Sequence, residues 1–289
     1  MKIFTLLLFL FTFSCGQAKE TYKYQLAVCV LFQNEAPYLK EWIEYHKLLG
    51  VEHFYGFNNL STDNYLEVLK PYIDEGTFEL KNILTVADNF KTYYAMQCKC
   101  YTDCLAHTRG ISKWVAFIDP DEFFVPVKNV QLTDFLKDYE EFGGVVVNWL
   151  MFGTSNVKKI PSHQLLIETL IRCAEKSFSC NRYVKSIVRP ERVSHFDSAH
   201  QATYYEGYGA VNTDKFPSSE DMSYCILWNK LRLNHYWTRD EDFFFKIKVP
   251  RQIVWGGKPN PEYLFEKMNA NQDNLILRYV TELKNRIKL

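Results

Sequence analysis

The chain has 289 residues, and Lys plus Arg (34) balances Asp plus Glu (34) for a formal net charge of zero at pH 7. That balance gives no electrostatic case for a nucleic-acid partner or an anionic membrane surface. An apolar fraction of 47% allows a sizeable core, and the 16% aromatic content suits either a thick core or sugar-stacking surfaces.

The first element is an apolar run from Ile3 to Phe13 behind Lys2, interrupted by Thr5 and Thr12. It has about half of the ~20 residues that a membrane-spanning helix needs and matches the apolar stretch of a secretory signal. Cys15 follows and is a candidate for lipid attachment, although Phe13 beside it makes a poor lipobox. Residues 1–20 are therefore expected to be a signal peptide or membrane-targeting segment. That implies a membrane-associated, secretory or exported protein, with a cytoplasmic location left open. Residues 21–289 are expected to form a single domain.

From Gln25 the chain alternates. Gln25–Phe32 reads as a strand. Asn34-Glu35-Ala36-Pro37 opens a helix whose apolar face is Leu39, Trp42, Ile43, His46 and Leu49, and Gly50 stops it. Val51–Phe57 is a second strand. Ser61 is the expected N-cap of a second helix, with Asp63 in its first turn and Gly76 at its end. Thr77–Leu84 is a third strand and Lys91–Thr108 a long helix. A fourth apolar strand then ends abruptly in Asp119, Asp121 and Glu122. Strict alternation with short connections predicts an α/β fold built on a parallel sheet with right-handed crossovers. In such sheets ligands bind beyond the carboxyl ends of the strands, where Asp119 and Asp121 would stand.

The second half is less regular. The pattern predicts a helix from Thr133 to Phe142, a strand Val145–Leu150, a helix around Gln164–Glu175, a strand Lys185–Val188 and a strand Leu231–Trp237. A basic helix is expected over Asn271–Leu289, and residues 190–225 read as loops over the site. The cysteines beyond residue 20 are odd in number, so at least one is free or pairs outside the chain. Cys98, Cys100 and Cys104 lie on a helical pattern without the spacing of a zinc site. Cys173 and Cys180 either close a small loop in an oxidising compartment or stay as buried thiols.

At this point the chain resembles the GT-A type glycosyltransferases, and among them family 92 (formerly DUF23). The residues that carry the likeness are Phe32-Gln33-Asn34-Glu35, Tyr38 through His46, Asn58 through Asn64, and Phe117-Ile118-Asp119-Pro120-Asp121-Glu122-Phe123. Asn148 through Ser155, Val184 through Pro190 and Leu233-Asn234-His235-Tyr236 complete the set. The family usually carries an Asp where this chain has Asn58-Asn59-Leu60. The resemblance implies a Rossmann-like, mostly parallel sheet flanked by helices, with an irregular acceptor-side second half. It also implies transfer of a hexose from a nucleotide-sugar, a UDP-sugar above all, to a glycan or other hydroxyl acceptor with inversion.

The residues fit that chemistry. The leaving nucleoside diphosphate gains negative charge, which Mn²⁺ or Mg²⁺ offsets as a Lewis acid. Hard cations take oxygen ligands, usually one or two carboxylates plus phosphate oxygens. Asp119 and Asp121, held in a rigid turn by Pro120, are the expected metal ligands. His235 resembles the C-terminal His that many GT-A enzymes add. Phe32, Asn34, Glu35, Asn58 and Asp63 are the candidates for base and ribose, and Lys185, Arg239 and Lys246 for the diphosphate. The acceptor hydroxyl needs a base, for which Asp197, His200, Glu206 and Asp221 stand unranked. Trp149, Phe152, Trp237 and Trp255 are candidates for an acceptor platform. An exported, non-catalytic nucleotide- or glycan-binding protein on the same fold is the alternative. A two-metal phosphoesterase is disfavoured because further His/Asp pairs are lacking.

Overall fold

A computed structural model describes residues 21–128 and 130–289. The signal-like segment and Cys15 lie outside the described residues. Among the described residues, no helix is long and apolar enough to cross a membrane.

The first half alternates as expected: β1 (Tyr24–Phe32), α1 (Ala36–Leu48), β2 (His53–Asn59), α2 (Tyr65–Asp74), β3 (Phe78–Ile83), α3 (Phe90–Thr108) and β4 (Ser112–Phe117). β1 pairs in parallel with both β2 and β4, and β2 with β3. β1 is buried on both faces. Leu26, Val28 and Val30 enter one apolar cluster, and Ala27, Cys29 and Leu31 the other. That double burial is why the strand reads as a continuous apolar run rather than an alternating one.

β5 (Glu122–Pro126) follows the acidic turn directly. β6 (Gly144–Met151), β7 (Val184–Val188), β8 (Ala210–Val211), β9 (Pro217–Ser218) and β10 (Leu231–His235) complete a ten-stranded sheet. Its main path runs β9-β8-β6-β7-β4-β1-β2-β3, and β10 pairs with β5 and β6. β7 is antiparallel to both β4 and β6, while β6 and β10 are parallel. The chain thus adopts the mostly parallel α/β architecture expected of a GT-A fold, with the irregular half on one side. The order also fixes the site. From β1 the chain goes to β2 on one side and returns to β4 on the other, and a crevice opens at such a reversal.

Four local expectations need correction. Asn64, not Ser61, is the N-cap of α2, because Ser61 Oγ instead accepts from Asn34 N at 2.8 Å. The helix expected over 133–142 is a single turn, Leu132–Leu136, followed by a 3₁₀ turn. The helix expected over 164–175 is only Leu166–Thr169, and the C-terminal helix only Val280–Ile287. One cause accounts for both of the last two: Arg172–Cys173 pairs antiparallel with Asn271–Gln272, pulling each segment out of helical geometry. Cys173 and Cys180 are free thiols, as are all the other cysteines among the described residues.

Candidate active site

The ends of β1, β2, β4, β6 and β10, together with the start of the antiparallel β7, meet at one edge of the sheet. A cleft of about 610 Å³ opens there. Its wall includes Phe32 and Glu35 after β1, Asn59 at the end of β2, and Asp119 and Asp121 after β4. Trp149 on β6, Lys185 on β7, His235 on β10 and His200 from the loop beyond β7 complete it.

The two aspartates face different partners. Asp119 Oδ1 accepts from Gln97 Nε2 at 2.8 Å and from the Tyr101 hydroxyl at 3.3 Å, while Oδ2 accepts from Lys185 Nζ at 2.9 Å. Asp121 is buried. Its Oδ2 accepts from Lys248 Nζ at 2.9 Å, and its Oδ1 lies 3.3 Å from His235 Nε2. Burial raises the Asp121 pKa, but Lys248 and His235 more than offset it and hold the carboxyl well below the usual range. Glu122 lies beneath, fully buried. Its Oε2 accepts from Asp119 N at 2.7 Å and fixes the turn. Burial pushes its pKa well up, and the Lys185 charge only partly opposes this.

The donor set of the turn suits a hard divalent cation in part. Asp121 Oδ1 and His235 Nε2 are separated by 3.3 Å, close to the ~3 Å expected between adjacent ligands on one octahedral cation. His235 Nδ1 and Glu122 Oε1, both buried without hydrogen-bond partners, lie 3.9 Å apart behind it. Among the described residues, no group of three His, Cys, Asp or Glu is spaced to hold a metal. Two protein ligands plus substrate phosphate oxygens is a normal arrangement for Mg²⁺.

The other expected site residues divide sharply. Phe32 and Glu35 line the cleft, but Glu35 also forms an ion pair with Arg239. Arg239 is fully buried, with its guanidinium 3.8 Å from the Tyr38 ring centroid and 4.4 Å from that of Phe243. It braces the wall rather than facing the cleft. Asn34, Asn58 and Asp63 tie neighbouring segments together. Asn34 Oδ1 accepts from Thr62 N at 2.7 Å, Asn58 Nδ2 donates to Asn82 Oδ1 at 2.9 Å, and Asp63 Oδ2 accepts from Ala36 N at 2.8 Å at the start of α1. Asn34 holds a left-handed backbone (φ 57°), which Asn tolerates better than most residues. Lys246 is exposed and pairs with Asp242 one helical turn away, outside the cleft.

Of the base candidates, His200 lies in the cleft. Its Nδ1–H donates to Val184 O at 3.0 Å, leaving Nε2 as an acceptor. Burial, then the Lys185 charge, lower its pKa to about 4. Asp197 is exposed and accepts from His195 at 2.8 Å. Glu206 is exposed, and Asp221 accepts from Ser198 Oγ at 2.6 Å. Neither of these, nor Asp197, belongs to the cleft wall. Trp149, Trp237 and Trp255 do, whereas Phe152 is core.

Sequence reasoning missed Gln97, Tyr101, Asn59, Tyr93 and Lys248. Gln97 and Tyr101 are four residues apart on α3, so they share the helix face turned to Asp119. A polar pair at that spacing on an otherwise buried face was the available signal.

The chain is 25% identical to a glycosyltransferase family 92 protein of Ricinus communis over 251 residues, which cover 82% of this chain and 40% of that protein. It is 30% identical over 181 residues to a β-1,4-galactosyltransferase of Caenorhabditis elegans, covering 60% of this chain and 42% of that protein. The chain therefore spans less than half the length of these curated relatives. Among solved structures, residues 1–349 of S. aureus TarS give a TM-score of 0.40 at 13% identity, over 83% of this chain and 68% of that one. A likeness that loose carries no residue-level argument. The family model for glycosyltransferase family 92 matches residues 24–222, well over half of the sequence and every strand that builds the cleft except β10. The chain belongs to glycosyltransferase family 92.

Proposed function

We propose that the chain catalyses transfer of a hexose from a nucleotide-sugar, a UDP-sugar, to a hydroxyl of a glycan acceptor, with inversion and with the help of a divalent metal. The observation that carries this reading is the convergence of Asp119, Asp121, His235 and Lys185 at the reversal point of the sheet. Relatives named as β-1,4-galactosyltransferases, in Caenorhabditis elegans and Arabidopsis thaliana, support galactose as the first sugar to try. A β-linked product from an α-linked sugar nucleotide requires inversion, which needs one displacement and one base.

Asp121 and His235 would hold the cation, with Asp119 joining by rotation of its side chain. The metal, Mn²⁺ or Mg²⁺, would supply Lewis-acid stabilisation of the departing diphosphate. Lys185 offers a further positive charge beside that diphosphate. Phe32, Glu35 and Asn59 stand where the base and ribose enter. His200 Nε2 is placed to take the acceptor proton, and the negative charge of a bound donor would raise its basicity from the low value of the free site. Trp149, Trp237 and Trp255 offer flat faces to the acceptor sugar.

The test is thermal stabilisation of the full chain by UDP, UDP-galactose and GDP, with and without Mn²⁺. UDP ligands should stabilise it more with Mn²⁺ than without, and Asp121→Asn should abolish that difference. The absence of any nucleotide shift would overturn the reading.

A further inference from the structure

Lys248 sits in the cleft, yet neither the turn motif nor the strand ends point to it. Its Nζ is 2.9 Å from Asp121 Oδ2, and the residue is 8% exposed. It closes a π-helical turn, Phe244–Lys248, a distortion frequent at functional sites. Residues two apart on a helix face opposite sides, so Lys246 points outward to Asp242 while Lys248 points inward to Asp121.

The segment that follows Lys248 is lightly held. None of the residues in the helix Val249–Val254 is buried, and Val254 is 65% exposed. Beyond it, Trp255 rests on Tyr93 of α3 at 4.8 Å between ring centroids. The segment thus crosses the cleft like a strap, with Lys248–Asp121 as its inner fastening.

That fastening on Oδ2 is weakened by a cation on Oδ1 of the same carboxylate, which draws negative charge away from the lysine. A divalent ion held by Asp121 and His235 places positive charge beside the Lys248 ammonium, and the two repel. The nearest anion that would then arrive is the diphosphate sharing that metal. We propose that Lys248 is a diphosphate-binding residue which Asp121 holds in the cleft, so that metal and Lys248 compete for the charge of Asp121 until a nucleoside diphosphate accepts the lysine. This rests on the donor-site reading of the cleft.

The proposal predicts two opposite effects of one substitution, which a residue that only stabilises the fold would not give. Lys248→Met should bind Mn²⁺ alone at least threefold more tightly than wild type, read as free Mn²⁺ by electron paramagnetic resonance. In saturating Mn²⁺ the same variant should bind UDP at least tenfold more weakly by calorimetry. Lys246→Met should leave both unchanged. If Lys248→Met does not fold, Lys248→Gln, which keeps a hydrogen-bond donor for Asp121 without the charge, should give the same pair of shifts. Loss of Mn²⁺ and UDP affinity together, or no change in either, overturns this inference while leaving the donor site intact. A wild-type protein that binds no UDP with Mn²⁺ overturns the donor-site reading, and this inference with it.

Discussion

Lys185 donates from Nζ to Asp119 Oδ2 over 2.9 Å and lies 3.8 Å from Glu122 Oε2, with its own side chain 1% exposed. One buried cation therefore holds both the half-buried and the fully buried acid of the turn. The strand β7 delivers it there only because β7 runs antiparallel to β4, which brings the start of one strand beside the end of the other.

Lys185→Met should accordingly lower stability as well as activity. Removing one partner of a buried ion pair costs about 3–5 kcal/mol, because the other charge is left without compensation. Asp119, the carboxylate that Lys185 hydrogen-bonds, is the group left stranded. The double variant Lys185→Met/Asp119→Asn should recover at least half of the loss, which urea unfolding of the two single variants and the double variant measures. Simple additivity of the single effects would show that the two side chains are not coupled.

His200→Gln separates binding from chemistry. Of the four base candidates it lines the cleft, and with Nδ1–H committed to Val184 O its Nε2 is left to accept a proton. General-base catalysis contributes about 10²–10⁴-fold, so kcat should fall within that range while UDP affinity stays within about twofold of wild type. A variant that retains kcat would remove His200 from the mechanism and return attention to carboxylates that loop movement could bring in.

The donor half of the site is legible because β1, β2 and β4 are almost wholly buried and punctuated by short polar turns, so that strand ends and their residues can be located. Residue type alone misled at those ends. Asn34, Asn58 and Asp63 are chemically suited to a ribose, but backbone N–H groups and Asn82 already engage them. The sequence points to Lys246 and not to Lys248 because neither the π turn nor the direction of the helix shows in a charge pattern. β5 was missed because an acidic turn hides the start of a strand whose partner, β10, is remote in sequence. Pairings such as Cys173 with Asn271 override local helical periodicity in the same way.

Two buried groups on α1 give the fold opposing responses to pH. His46 donates from Nδ1 to Trp42 O at 2.8 Å and has no partner for Nε2, and burial lowers its pKa from 6.5 to about 3. Between those values the unfolded chain binds the extra proton, so this group's stabilising contribution is complete above about pH 6.5 and declines as pH falls toward 3. Glu41 accepts from Leu166 N at 2.9 Å and Ile167 N at 3.0 Å, yet burial raises its pKa from 4.5 to about 7. Here the folded chain binds the extra proton, so stability declines as pH rises from about 4.5 to 7. Each slope is about 1.4 kcal/mol per pH unit, and the two oppose each other between about pH 4.5 and 6.5. Relative to wild type, Glu41→Gln should make stability rise more steeply with pH across that window, and His46→Gln should make it fall. Urea midpoints at pH 4.5, 5.5 and 6.5 read both tilts. A variant whose stability shows no tilt relative to wild type would show that its side chain keeps its ordinary pKa in the fold.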